Sequence, residues 1–284
     1  GQKLLDGSFG SATCQVGANA NQTITATTGN FRTTTYGAQI NNSKLVEAAA
    51  TATALTGTVV IAGLQTKTAT LGASDTAATA AAAINALSDA TGVTASARNV
   101  SELKFAATGA VSLAVKGDNS TAANVTFNVS GNTAAGLAEA VKAFNDVSSQ
   151  TGVTAKLNAA ADGIILTNEA GADINLTNNS ATVGVTLAAQ NAEATTTPTF
   201  GAATAAAAAG GAVVSRGTLE FSSDKGYSIT GTSALASTTA ASSLKAVNTI
   251  DVSTVEGSTK ALKIIDSALA AVNGQRASFG ALQS

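Results

Sequence analysis

Residues 253–284 read STVEGSTKALKIIDSALAAVNGQRASFGALQS, and their apolar spacing predicts one long amphipathic helix. Ser253 followed by Glu256 is a capping-box pattern, in which the serine oxygen accepts from the third helical amide and the glutamate accepts from the cap's own amide. On a projection of about 100° per residue, Leu262, Ile265, Leu269, Val272 and Phe279 share one seam. Ile264, Ala268, Ala271 and Leu282 flank it on one side, and Lys260, Lys263, Ser267, Gly274 and Ser278 take the opposite face. Arg276 sits in the seam itself, where its stem packs while the guanidinium snorkels, or where it pairs with a carboxylate across a helix interface. From Ser258 to Gln283 the helix would run roughly 39 Å, at about 1.5 Å per residue. The plainer reading is a helix of an ordinary core. The breadth of the stripe, still running at the last residue, favours partner helices, and the chain is expected to be the middle of a longer protein.

Composition narrows what such a helix serves. Of 284 residues 45% are hydrophobic but only 4% aromatic, so the cores must be built from small and β-branched side chains. That length predicts at least two domains. With 11% charged residues and a net charge of −2, the chain has no field for gathering nucleic acid or an anionic membrane. No apolar run approaches the roughly 18 residues of a membrane helix, and no basic, apolar leader marks a conventional signal peptide.

The absence of histidine closes most hydrolase chemistry: there is no Ser-His-Asp set, no HExxH zinc site and no imidazole base. The single cysteine, Cys14, excludes an internal disulfide and a multi-thiolate metal site, and reads as a small buried hydrophobe. Asp118, Asp162 and Asp173 fall outside any D-x-[DN]-x-[DN]-G array and read as turn formers. The AGGA run at 209–212 lacks the lysine and βαβ setting of a phosphate loop. No catalytic residue, cofactor or metal is expected.

Near the start, the Asp6-Gly7 turn signal precedes Cys14 and Val16, which alternate with Gln15, and Ile24 resumes the alternation after polar turn residues. That is a β-hairpin pattern. GQKLLDGSF at 1–9 with QVGANANQTI at 15–24 resembles the segment of bacterial flagellin that follows its N-terminal helices. ALKIIDSALAAVNGQRASFGALQ at 261–283 is similar to the C-terminal helix of the same core domain, whose pattern runs IDxAL and then VNxxRAxxGAxQ. The two motifs match in the right order on either side of a divergent middle. Cys14 departs from the large hydrophobe usual at that point of the family, and the helices that pair at the filament centre have no counterpart in this sequence.

The middle holds an internal repeat. TGVTA occurs at 91–95 and again at 151–155, each time after a short helical pattern with a small polar start. Asp75-Thr76 leads to Ile84 and Leu87, and Asn132-Thr133 to Val141 and Phe144. Sixteen residues separate Asp75 from Thr91 and nineteen separate Asn132 from Thr151, a difference of about one helical turn. Strand-like runs precede each helix at 58–61 with 67–71, and at 111–115 with 125–129. Others follow at 93–97 with 103–107, and at 153–157 with 164–167. Each unit is expected to be a small antiparallel sheet covered by one helix, similar to the repeated module in the variable outer regions of flagellins. Further strands are expected at 174–176 and 183–187, a linker or loose return strand at 188–211, and a hairpin joining 219–221 to 227–229.

These readings predict an α+β fold. A discontinuous core of residues 1–42 and 212–284 would carry the long helix and β-hairpins. An outer lobe at 43–211 would hold two repeats, about 56–109 and 110–170. The resemblance implies a secreted, extracellular structural subunit of the flagellar filament whose partners are other flagellin subunits. Leu262, Ile265, Leu269, Val272, Arg276 and Phe279 are its helix-packing or intersubunit candidates. It also implies recognition by antibodies and by Toll-like receptor 5, weak here because the main epitope of that family lies on N-terminal core helices. The metalloprotease that some members carry uses HExxH, which a histidine-free chain cannot supply. The alternative is a secreted adhesin or binding module built from the repeats.

Overall fold

A computed structural model describes residues 6–8, 10–15, 23–27, 29–191, 198–237, 241–253 and 255–283. The fold is α+β, its sheets antiparallel in every recorded strand pairing, with a long helix at the C-terminal end. In chain order come β1 (Ser11–Gln15), β2 (Thr23–Thr27), β3 (Gly37–Asn42), β4 (Gly57–Ala62) and β5 (Thr66–Leu71). Helices α1 (Ala77–Asn85) and α2 (Ser88–Thr91) lead into β6 (Thr94–Phe105), β7 (Gly109–Lys116) and β8 (Ala123–Val129). Helices α3 (Ala138–Asp146) and α4 (Ser148–Thr151) lead into β9 (Val153–Leu157), β10 (Ile164–Asn168), β11 (Ile174–Asn178) and β12 (Val185–Ala189). The rest are β13 (Thr204–Ala206), β14 (Gly211–Ser215), β15 (Thr218–Ser223), β16 (Ser228–Gly231), β17 (Ser243–Ala246) and α5 (Val255–Gln283).

Two compact units emerge: Gly1–Ile40 with Ser222–Tyr227 and Ala241–Ser284, and Asn41–Phe221 with Ser228–Ala240. In the first, β1 and β2 form the expected hairpin, with Cys14 opposite Ile24. Asp6 accepts from the Ser8 amide across the turn and pairs with Arg32 at 3.1 Å. β17 lies antiparallel to β3, Ser243 opposite Ile40 and Ala246 opposite Gly37. Ala38, Ile40 and Ile264 form a small buried cluster, with Val247 and Ile250 packed on it. Thr254 and the side chains of Cys14 and Glu256 lie outside the described residues, so the expected Ser253–Glu256 capping box and the burial of Cys14 fall outside them too.

The larger unit is built on β6, which buries every second residue along its C-terminal half. β10 pairs with one edge of it, Ile164 opposite Leu103, and β12 with the other, Leu187 opposite Leu103. The sequence reading divides this stretch into two strands. The chain runs through it as one: burial alternates from Asn99 to Phe105, and β10 pairs across the expected gap, from Asn168 opposite Asn99 to Ile164 opposite Leu103. A second sheet runs β14-β11-β7-β8 and a third β16-β4-β5. The expected hairpin of β15 with β16 does not form: β16 pairs with β4, Ile229 opposite Ile61. Five residues separated two apolar runs, a spacing that suits a hairpin but does not compel one.

The main core collects Leu103, Phe105, Val111, Leu113, Phe127, Phe144, Ile164 and Leu166 among others. Phe105 and Phe127 meet edge to face at 5.6 Å, and Phe127 and Phe144 lie 6.2 Å apart. These few rings supply much of the large apolar area in a chain otherwise rich in alanine.

Candidate assembly surface

Helix α5 is amphipathic, as its spacing predicts, but the face it buries within the first unit is not the expected seam. Ala261, Ile264 and Ala268 are buried, with Ile264 against Ala38 and Ile40. Leu262, Ile265 and Leu269 are exposed to 64%, 43% and 55%. Val272 and Phe279 are half-buried and Arg276 is exposed. The two faces are rotated by roughly 100°, one residue step around the helix. Ile264 is the one large side chain of the buried face and plugs against Ala38 and Ile40, with the small Ala261 and Ala268 buried on either side of it. The expected seam gathers the bulkiest side chains of the helix, whereas the buried face carries small residues around one large one.

A second feature lies in the repeat. Each copy closes through the same set of hydrogen bonds. The Asn85 side chain donates to the Ala95 carbonyl at 2.9 Å and accepts from its amide at 2.7 Å. Asn145 does the same with Ala155, at 3.0 and 2.8 Å. Ser88 and Ser148 donate to the Asn85 and Asn145 carbonyls, both at 2.7 Å. Thr91 and Thr151 donate back to Leu87 and Val147 and accept from the Val93 and Val153 amides. Gly92 and Gly152 terminate α2 and α4 in the left-handed region, φ 70° and 67°, where a β-carbon is disfavoured.

The clamp therefore ties the end of each helix to the first strand after it. Extending TGVTA backwards gives NALSDATGVTA and NDVSSQTGVTA, so the Asn and Ser positions were present in the sequence but outside the repeat as read. Gly63 and Gly117 complete the match, since a β-carbon on either would strike the Thr91 or Thr151 carbonyl. The three extra residues of the second copy do not lengthen its helix. They are taken up in a turn at 134–137 after Thr133, whose hydroxyl accepts from the Gly136 amide, and α3 starts only at Ala138. In the first copy Thr76 and Thr79 cap α1 reciprocally.

The acidic residues read as turn formers differ among themselves. Asp162 accepts from Asn158 and pairs with Lys104 at 3.0 Å; these bonds hold its carboxyl below the ordinary value. Asp118 accepts from Asn168 beside Gly152. Asp173 is partly buried and faces Arg216, a residue that no motif or periodicity singles out. Among the described residues no group of three or more His, Cys, Asp or Glu is placed to hold a metal ion, and no helix is long and apolar enough to cross a membrane.

The family model described as the flagellin hook IN motif matches residues 58–109, which span β4 to the start of β7 and include the first clamp. B-type flagellin of Pseudomonas aeruginosa strain PAO1 is 30% identical over 149 residues, covering 50% of this chain and 30% of its own length. Over these stretches the chain is similar to flagellin. The chain spans less than a third of the curated relative's length, and the matched motif ends before the second copy of the clamp begins.

Proposed function

We propose that this chain is part of an exported, extracellular flagellar filament subunit that self-assembles for motility. The match to B-type flagellin over half the chain carries the reading. In this account the two ends of the chain form a core domain, the repeat-bearing middle is an inserted outer lobe facing solvent, and α5 supplies an assembly face. The exposed Leu262, Ile265 and Leu269 support that last point, because three large apolar side chains on one helix face are costly to leave in water unless a partner covers them. Arg276 lies farther along the same face and would pair or snorkel at the rim of that contact.

Subunits related head to tail by a rotation that does not close generate an open helical filament, and a continuous apolar helix face is suited to such a contact. Antibodies and Toll-like receptor 5 are expected partners of the whole subunit, with weak receptor binding by these 284 residues alone. Sedimentation velocity tests the reading: the 284-residue chain stays monomeric, whereas the longer natural subunit polymerises. Long filaments formed by the 284 residues alone would contradict it.

A further inference from the structure

The loop between β10 and β11 and the residues after β14 meet the start of α1 at one polar junction inside the larger unit. The Ala78 amide, one of the helix-start donors with no intrahelical partner, donates to the Gly171 carbonyl at 3.3 Å. Asn99 donates from β6 to the carbonyls of Ala172 and Ser215. A β-carbon on Gly217 would meet the Gly171 carbonyl, Ala77 and the Arg98 carbonyl, so the backbones here are in close approach. Arg216 lies at the centre, its side chain only 4% exposed, and donates from Nη1 to the carbonyl of Asp75, the residue preceding the cap of α1. Asp173, 13% exposed, faces the same Nη1 from 3.5 Å, beyond a good hydrogen bond. Asp173 Oδ1 and Arg216 Nε have no hydrogen-bond partner in the protein.

Two acceptors thus flank one guanidinium nitrogen, the carbonyl within hydrogen-bonding distance and the carboxylate as an ion pair just beyond it. We propose that Asp173 is a proton-operated release for the start of α1. When its carboxyl is neutral, Arg216 stays on the Asp75 carbonyl and pins the helix start. When it is ionised, the carboxylate draws Arg216 toward itself and loosens that bond.

The remaining charged groups around the junction are otherwise engaged. Arg98 holds Glu169 through two bonds of 2.8 Å. The Asp75 carboxylate accepts from Gly72 and Thr79, and Asp118 accepts from Asn168. Lys116, paired in register with Asn175, is exposed at the end of β7. Burial raises the Asp173 pKa above 3.8 against the pull of Arg216. The folded state therefore takes up the proton more readily than the unfolded chain, and the pinned form is favoured as pH falls and lost as pH rises through the folded pKa. Asp75 acts in the opposite sense and only below 3.8.

The test is amide exchange of the full 284-residue chain between pH 4 and 7, with rates normalised for intrinsic pH dependence. The Val141 amide, bonded to Leu137 at the start of α3, serves as the internal reference. Protection of Ala78 should fall with rising pH relative to Val141, and in Asp173→Asn it should stay at the acid-state level throughout. A flat Ala78 profile in the natural chain, or an unchanged slope in Asp173→Asn, overturns the proposal. If the variant does not fold, the carboxyl carbon shift of Asp173 in the natural chain decides: a midpoint above the ordinary carboxylate range that coincides with the Ala78 loss supports the proposal, and a midpoint at or below 3.8 refutes it.

Discussion

At Asn85 and Asn145 one side chain replaces the two hydrogen bonds that the first strand residue after each helix would otherwise lack. Truncating either to alanine leaves a partly buried carbonyl and amide unpaired, at about 1–3 kcal/mol. Asn145→Ala should therefore lower the urea midpoint of the larger unit, while Asn145→Asp, which keeps the acceptor but not the donor, should lose less. A different residue-scale prediction concerns Asp75. Its carboxyl is held below the ordinary 3.8 by the Gly72 amide and the Thr79 hydroxyl. That contribution is present above the unfolded value and lost as pH falls through the lower folded one. Asp75→Asn should accordingly flatten the acid limb of thermal stability below about pH 4 and leave the pH dependence near neutrality unchanged, measured by circular dichroism. Equal acid limbs in the two proteins would count against the assigned bonds.

The elements divide into those that sequence periodicity determines and those it underdetermines. The β1–β2 hairpin, both strands ahead of each repeat helix and the helical nature of 255–283 follow from alternation and apolar spacing, which are local properties. The β15–β16 pairing and the buried face of α5 depend on which distant strand competes for an edge, and no local pattern encodes that. Arg216 was illegible for the same reason: its partners lie 43 and 141 residues away. Burial also predicts how the helices respond to change. Phe144 is fully buried against Phe127, and Phe144→Ala should cost about 3–5 kcal/mol. In α5 the space around Gly274 is open to a β-carbon, so Gly274→Ala should stabilise the helix by about 0.5–1 kcal/mol. Thermal melts of the two variants should move in opposite directions, and a destabilised Gly274→Ala would mean that this glycine serves a close approach not present within the chain.

For the molecule as a whole, the duplicated clamp and the two-faced helix address separate requirements. The clamp fixes small modules that have little aromatic core to hold them together, whereas α5 spends its small residues on its own unit and keeps the large ones outward. Such a division suits a subunit whose exposed helix face is covered only on assembly. The most direct test places Leu262→Ser, Ile265→Ser and Leu269→Ser together in the longer filament subunit that the proposed function implies and looks for filaments by electron microscopy. Because all three side chains are exposed, the fold should survive, seen as an unchanged melt of the 284-residue chain carrying the same changes. The account predicts a folded subunit that forms no filaments. Filaments of normal length and number from the triple variant would contradict it.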